Sequence, residues 1–381
     1  MSDQKSIYIH IPFCVKKCVY CDFYSKTNLS LIPDYVKSLR KEIEQRSGSK
    51  DKINTIYFGG GTPSLLAVKD IDLTLQTISD RFKVSRNVEV SLEVNPGTID
   101  LNYLRELKKA GINRLSIGVQ SFNDDKLKFL ERIHTANQSV RAIDDAVKAG
   151  FENISIDLIY GLFFETQNIW LKDLKQAALI SPAHLSCYML TIEPGTPLHE
   201  KVEKGLINPS GSTTLSELFK KTSLALDEFK YEHYEISNFS KDRKNRSIHN
   251  SNYWNMTPYY GFGAAAHSYD GKAARSWNHK SIDAYIRDMN SGSLPVNDRE
   301  ILTREQKMME MIMLRLRTIE GLGLERFQAL FHVSFETHFK DILEQIFNES
   351  LGFITDNRFA LTLEGKVRLN SIVEAFAQKT G

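Results

Sequence analysis

The chain has 381 residues, 41% hydrophobic and 25% charged, which is enough for two or three domains with a sizeable core. Its 49 basic and 47 acidic residues leave a net charge of +2, which excludes an overall electrostatic footprint for nucleic acid or an acidic membrane surface. No run approaches the length of a membrane-spanning helix, and the first residues lack the apolar core of a signal peptide, so the cytoplasm is the expected compartment.

Short runs rich in Ile, Val, Leu or Tyr predict strands at 6–11, 55–58, 88–94, 114–119, 154–159 and 185–190. Between them, apolar residues at three- and four-residue spacing predict helices over 33–46, 68–82, 100–110, 124–132, 137–149 and 169–179. Asp100 and Asn137 are the expected N-caps, and Gly111 and Gly150 sit where a left-handed residue ends a helix. This alternation is that of an α/β protein: a parallel sheet with crossover helices, more consistent with a barrel or partial barrel than with a flat sheet. Residues at the C-terminal strand ends would then meet on one face.

The pattern changes after about residue 235. Residues 1–240 are read as the barrel, 241–300 as a connecting segment and 301–381 as a winged-helix-like α+β domain. In the last of these, a helix at 305–317 precedes a hairpin over 353–363 with Asp356-Asn357 at its turn, then a helix at 365–377. The run 241–246 is basic and is expected to be a solvated loop, with the carboxylates of a bound ligand as its alternative partner.

Three of the four cysteines form Cys14-x3-Cys18-x2-Cys21 directly after the first strand. Three thiolates on one short loop can hold three corners of a cubane and leave the fourth iron open. The competing reading is one zinc ion, completed by His10 or Cys187. Cys187, within a strand, is otherwise expected to be a buried core thiol.

The spacing resembles that of the radical S-adenosylmethionine superfamily. Its flanks resemble the oxygen-independent coproporphyrinogen oxidase subgroup: Tyr8-Ile-His-Ile-Pro-Phe-Cys14, Gly59-Gly-Gly-Thr-Pro-Ser64, Glu93-Val-Asn-Pro-Gly97, Gly118-Val-Gln-Ser-Phe122, Arg132-Ile-His134 and Asp157-Leu-Ile-Tyr-Gly161. The resemblance implies a radical SAM partial (β/α)6 TIM-like barrel. It also implies a [4Fe-4S] cluster on Cys14, Cys18 and Cys21, with S-adenosyl-L-methionine on the open iron. Tyr8, Tyr20, Gly60, Gly61, Thr62, Glu93, Gln120, Arg132 and Asp157 would line the ligand site. Glu93 and Asp157 suit its ammonium and ribose hydroxyls, and the Arg132 fork suits a carboxylate.

Two features separate the chain from the coproporphyrinogen-oxidising enzymes. Those enzymes carry a fourth cysteine two residues after the third, where this chain has Phe23, and an N-terminal extension before the first strand. The chain has instead His249-Asn-Ser-Asn-Tyr-Trp254, which resembles the H-N-x-x-Y-W signature of the HemW haem chaperones. That resemblance implies haem as cargo with His249 as its iron ligand, and His267 as a weaker candidate. It implies an acceptor protein, membrane-associated acceptors included, an electron donor such as flavodoxin or ferredoxin, and scope for a homodimer, but no nucleic acid. The alternative function is oxygen-independent coproporphyrinogen III dehydrogenase. One stretch departs from the family: Gly-Leu-Phe163-Phe164-Glu165-Thr166 stands where Gly-Leu-Pro-Gly-Gln-Thr is usual.

Overall fold

A computed structural model describes residues 4–46 and 51–380. Six strands, β1 (Gln4–Ile11), β2 (Lys52–Gly60), β3 (Lys83–Val94), β4 (Arg114–Gln120), β5 (Asn153–Tyr160) and β6 (His184–Met189), lie side by side in chain order and all parallel. The crossovers carry helices α1 (Ile32–Arg46), α2 (Val68–Arg81), α3 (Leu101–Lys109), α4 (Asp124–Phe129), α5 (Ala136–Lys148) and α6 (Gln167–Ile180). This is a partial (β/α)6 barrel. Its strands alternate: Ile7, Ile9 and Ile11 are fully buried in one core with Val36 and Leu39 of α1, while Ser6, Tyr8 and His10 take the other face of β1. Each such aliphatic side chain contributes about 2 kcal/mol by leaving water.

Asp100 caps α3 by accepting from the Tyr103 amide. Asn137 caps nothing: α5 starts two residues earlier, because Thr135 and Gln138 form a reciprocal capping box. Gly111 and Gly150 hold φ of +104° and +88° behind α3 and α5, conformations that suit glycine. Helix α4 ends at Phe129, short of the expected 132. Glu131 takes a left-handed φ of 55°, and Arg132 turns toward the barrel.

Residues 241–300 are more than a connector. β9 (Tyr259–Phe262) pairs parallel with β1, and β10 (His267–Tyr269), β11 (Ala274–Asn278) and β12 (Val296–Ile301) continue the same sheet antiparallel. At the other edge β8 (Asn238–Ser240) and β7 (Glu232–Glu235) follow β6. Among the described residues the result is one twelve-stranded sheet, and Phe262, Ile282 and Tyr285 share its core. Arg246, from the basic run, is tied to Glu232 at 2.9 Å and to Glu320, so this end of the run is a structural clasp.

The C-terminal domain has its own core around Phe327, Phe335, Phe339, Phe359 and Phe376. Helix Arg304–Arg315 leads into it. β14 (Gly352–Thr355) and β15 (Arg358–Leu361) form the expected hairpin, with β13 (Leu322–Gly323) on the far side of β15. Asp356 and Asn357 both have positive φ, as a two-residue turn of this type requires. The last helix is two, Leu363–Val367 and Leu369–Thr380. Among the described residues no helix is long and apolar enough to cross a membrane.

Candidate functional site

The C-terminal ends of the parallel strands open on a cavity of about 420 Å³. Cys14, Cys18 and Cys21 all line it. The loop carrying them is pinned at its base, where the Cys14 amide donates to the Lys26 carbonyl at 3.0 Å and the Gly61 amide to the Ile11 carbonyl at 2.9 Å. A Cβ on Gly61 would stand 2.6 Å from the Phe13 carbonyl oxygen and 3.0 Å from Cys14 Sγ, so only glycine lets the two loops touch. Thr62 Oγ1 donates to Cys14 Sγ at 3.5 Å, and Arg132 Nη1 to Cys18 Sγ at the same distance. Burial pushes the Cys21 thiol up to about 11, opposed by the Phe23 amide and helped by the neighbouring thiols. A positive cluster would reverse that preference by binding the thiolate.

The zinc alternative loses its fourth ligand. His10 Nε2 faces the Tyr24 carbonyl at 3.0 Å and must donate to it, while His10 Nδ1 meets the Tyr8 hydroxyl at 2.9 Å. Cys187 lies buried on β6 outside the cavity lining. Among the described residues no three His, Cys, Asp or Glu side chains converge on a point that would hold a single ion. Three thiols facing one cavity, with Gly61 as cradle, fit a cluster larger than one ion.

Glu93, the penultimate residue of β3, lies on the cavity wall. It accepts from the Tyr57 hydroxyl at 2.9 Å and the Gly60 amide at 3.1 Å. Burial raises its carboxyl to about 7; the Tyr57 and Gly60 bonds resist this, and Asp157 nearby adds to it. Asp157 accepts from Ser116 at 2.8 Å and Ser155 at 3.3 Å, with burial again the leading influence and upward. Arg132 donates to the Gly118 carbonyl at 3.0 Å, while its buried Nε has no partner. That orphan donor fits an anionic ligand group. Gln120 reaches the cavity from a strained position, φ 66°, at a β-bulge against β5. Tyr20 and Thr62 also line the wall.

Tyr8 is the exception among the expected lining residues. It is the register partner of Tyr57 across β1 and β2, stacked on it with ring centroids 6.3 Å apart, and does not line the cavity. Tyr57 takes the cavity position instead. It shares its strand face with Thr55 and Gly59, so the two-residue alternation of β2 could have found it.

His249 is the second residue of its helix, Ile248–Trp254, and is 1% exposed. Its Nδ1 is 2.8 Å from Thr55 Oγ1, its Nε2 3.0 Å from the Tyr253 hydroxyl, and its ring stacks on Tyr57 at 4.8 Å. Both ring nitrogens are engaged, so an iron would have to displace Thr55 or Tyr253 to reach one. The signature's Asn250 and the preceding Ser247 line the cavity instead. His267 is exposed and stacks on Trp277 at 5.7 Å.

The unusual loop after β5 is locked by charge. Lys126 Nζ is fully buried and donates to Glu165, to Asp173 at 2.9 Å and to the Ile159 carbonyl at 3.1 Å. Asp173 also accepts from the Phe122 amide at 2.9 Å. Glu165, where the family usually has Gln, thus holds a geometry that Phe163 and Phe164 would not set themselves. No spacing rule joins residues 126, 165 and 173, and the sequence did not disclose them.

Residues 8–177 match the model of the Radical SAM superfamily, and residues 302–367 that of the HemN C-terminal domain. A relative from Buchnera aphidicola (Schizaphis graminum) named heme chaperone HemW is 32% identical over 97% of this chain and 98% of its own. The Bacillus subtilis protein of that name is 33% identical over 98% and 99%. A Danio rerio relative named radical S-adenosyl methionine domain-containing protein 1, mitochondrial, is 31% identical over 97% of this chain and 86% of its own. The solved Escherichia coli coproporphyrinogen III oxidase, HemN, superposes with a TM-score of 0.83 over 98% of this chain and 89% of that one, at 23% identity, which establishes the shared fold. With its full-length relatives and its cysteine loop in agreement, the chain belongs to the HemW family of the radical SAM superfamily.

Proposed function

We propose that this protein is a haem chaperone: it binds a [4Fe-4S] cluster, S-adenosyl-L-methionine and haem, and passes haem to an acceptor protein. The observation that carries this reading is the cavity itself. Three thiols converge on it, yet Phe23, 62% exposed at its edge, stands where the coproporphyrinogen-oxidising enzymes have a further cysteine. Full-length relatives bearing the heme chaperone name support it.

Cys14, Cys18 and Cys21 would hold three irons. Glu93, with both oxygens already oriented by Tyr57 and Gly60, presents a fixed carboxylate to the ligand's ammonium. Arg132 offers its orphan Nε to the ligand carboxylate, and Asp157 would accept from ribose hydroxyls. When bound, the cluster and its ligand supply one-electron reduction of a sulfonium. The residues here orient that ligand and exclude water from it. A one-electron donor of flavodoxin or ferredoxin type, a cytoplasmic setting, an acceptor that is itself membrane-associated and a haem-bound homodimer complete the proposal.

Anaerobic cluster reconstitution followed by parallel assays tests it. Stoichiometric haem binding without protoporphyrinogen formation from coproporphyrinogen III is expected. Protoporphyrinogen formation would move the chain to the dehydrogenase class, and failure to bind haem would remove the chaperone reading. Cys18→Ala should abolish the broad visible cluster absorption; zinc as the sole bound metal would overturn the cluster assignment.

A further inference from the structure

A second cavity, about 350 Å³, lies beside the first. Met189, Leu190 and Thr191, just past and at the end of β6, line both, so the two share a wall. The rest of its lining is largely apolar: Phe129, Phe163, Leu198, Ile207 and Leu215, with Asn370 contributed by the C-terminal domain. An occupant would therefore touch both the barrel and the smaller domain.

The aromatic side of this cavity is built rigidly. Phe129, Phe163 and Phe164 pack edge to face with centroids 5.0–5.5 Å apart. Phe163 is nevertheless 44% exposed. It is held there because Glu165, two residues on, is clamped by buried Lys126 and accepts from the Gly161 amide. Gly161 has φ +89°, and a Cβ there would stand 2.8 Å from Leu215 Cδ2, so the loop sits close against the opposite wall. A fully buried ion pair that keeps a phenyl ring half in water is a poor arrangement for stability alone, since such pairs are costly to desolvate. It suits a ligand with a flat apolar face, against which aromatic rings pack well.

We infer that this apolar cavity, walled by Phe163 and Met189, seats the macrocycle of the haem cargo beside the cluster cavity. The inference rests on the haem-binding reading above. Two observations favour this place over the surroundings of His249. The imidazole there is buried and engaged on both nitrogens, whereas this cavity is open, apolar and contiguous with the cluster site.

The test titrates haem into cluster-loaded protein, followed by Soret absorption, for the native chain, Phe163→Glu, Met189→Glu and His249→Gln. Phe163 and Met189 are exposed enough to accept glutamate without unfolding, which unchanged cluster absorption and melting temperature would verify. Carboxylates in this wall should weaken haem binding by about tenfold or more, because a charge would be buried against an apolar ring. His249→Gln should retain the native affinity. Native affinity in both glutamate variants, or loss confined to His249→Gln, would overturn the site while leaving the haem reading intact. Failure of the native chain to bind haem would overturn both.

Discussion

The Gly60 amide donates to Glu93 Oε2 at 3.1 Å, tying the glycine loop after β2 to the end of β3. The two residues reach each other because their strands are adjacent and parallel, with Phe58 opposite Leu92. A backbone turn that tolerates only glycine therefore aims a buried carboxylate at the same cavity that holds the cysteines.

Ligand binding should follow Glu93. Its carboxyl is raised from 4.5 to about 7, chiefly by burial. Affinity for a cationic sulfonium ligand is expected to rise as pH passes through 7, and Glu93→Gln should flatten the profile and weaken binding by about tenfold. The stability sign is opposite. Between 4.5 and 7 the folded state holds a proton that the unfolded chain releases, so this group lowers stability as pH rises, by up to about 1.4 kcal/mol per pH unit. Equilibrium dialysis and chemical denaturation across pH 4.5–8 check both, and a pH-independent native affinity would refute the role.

Gly61→Ala should loosen the cysteine loop. The added methyl meets the Phe13 backbone at 2.6 Å and Cys14 Sγ at 3.0 Å. The expected cost is about 1–3 kcal/mol together with reduced cluster occupancy. Iron and sulfide content after anaerobic reconstitution measures it; full occupancy would show that the two loops can separate freely.

Lys126→Met should be among the most damaging single changes outside the cavity. It leaves Glu165 and Asp173 buried without their cation, which costs roughly 3–5 kcal/mol. Adding Glu165→Gln should recover part of that loss. Denaturant midpoints decide the matter, and purely additive effects would mean that the pair is not coupled.

His249→Leu removes a ring kept neutral by burial, which pulls it down to about 3, with Arg114 assisting. For the native chain, the unfolded state binds a proton between about 6.5 and 3 that the folded state refuses, so this residue makes stability fall as pH falls through that range. Comparing native and variant stability at pH 5 and 7.5 should show a weaker acid dependence in the variant. It should also show about 1–3 kcal/mol lost at pH 7.5, as the Thr55 and Tyr253 hydroxyls lose their partner. Equal acid dependence in the two would place the imidazole in water.

Resemblance to a known family pointed to most of the cavity's polar groups; the sequence by itself determined the parallel strands and the cysteine loop. These depend on short-range rules: apolar alternation along a strand, thiol spacing within one loop, and glycine where backbones must touch. Even Asp356 and Asn357 were legible, because their left-handed turn is a local preference. The tertiary structure decided what depends on distant partners. Residues 241–300 joined the main sheet because β1 had an open edge for β9. Tyr57, the partner of Tyr8 across β1 and β2, lines the cavity where Tyr8 was expected. His249 is engaged by Thr55, 194 positions away in the chain, and Lys126 by two carboxylates on a later loop and helix. Burial and hydrogen-bond partners of that kind belong to the packed fold, and no local pattern contains them.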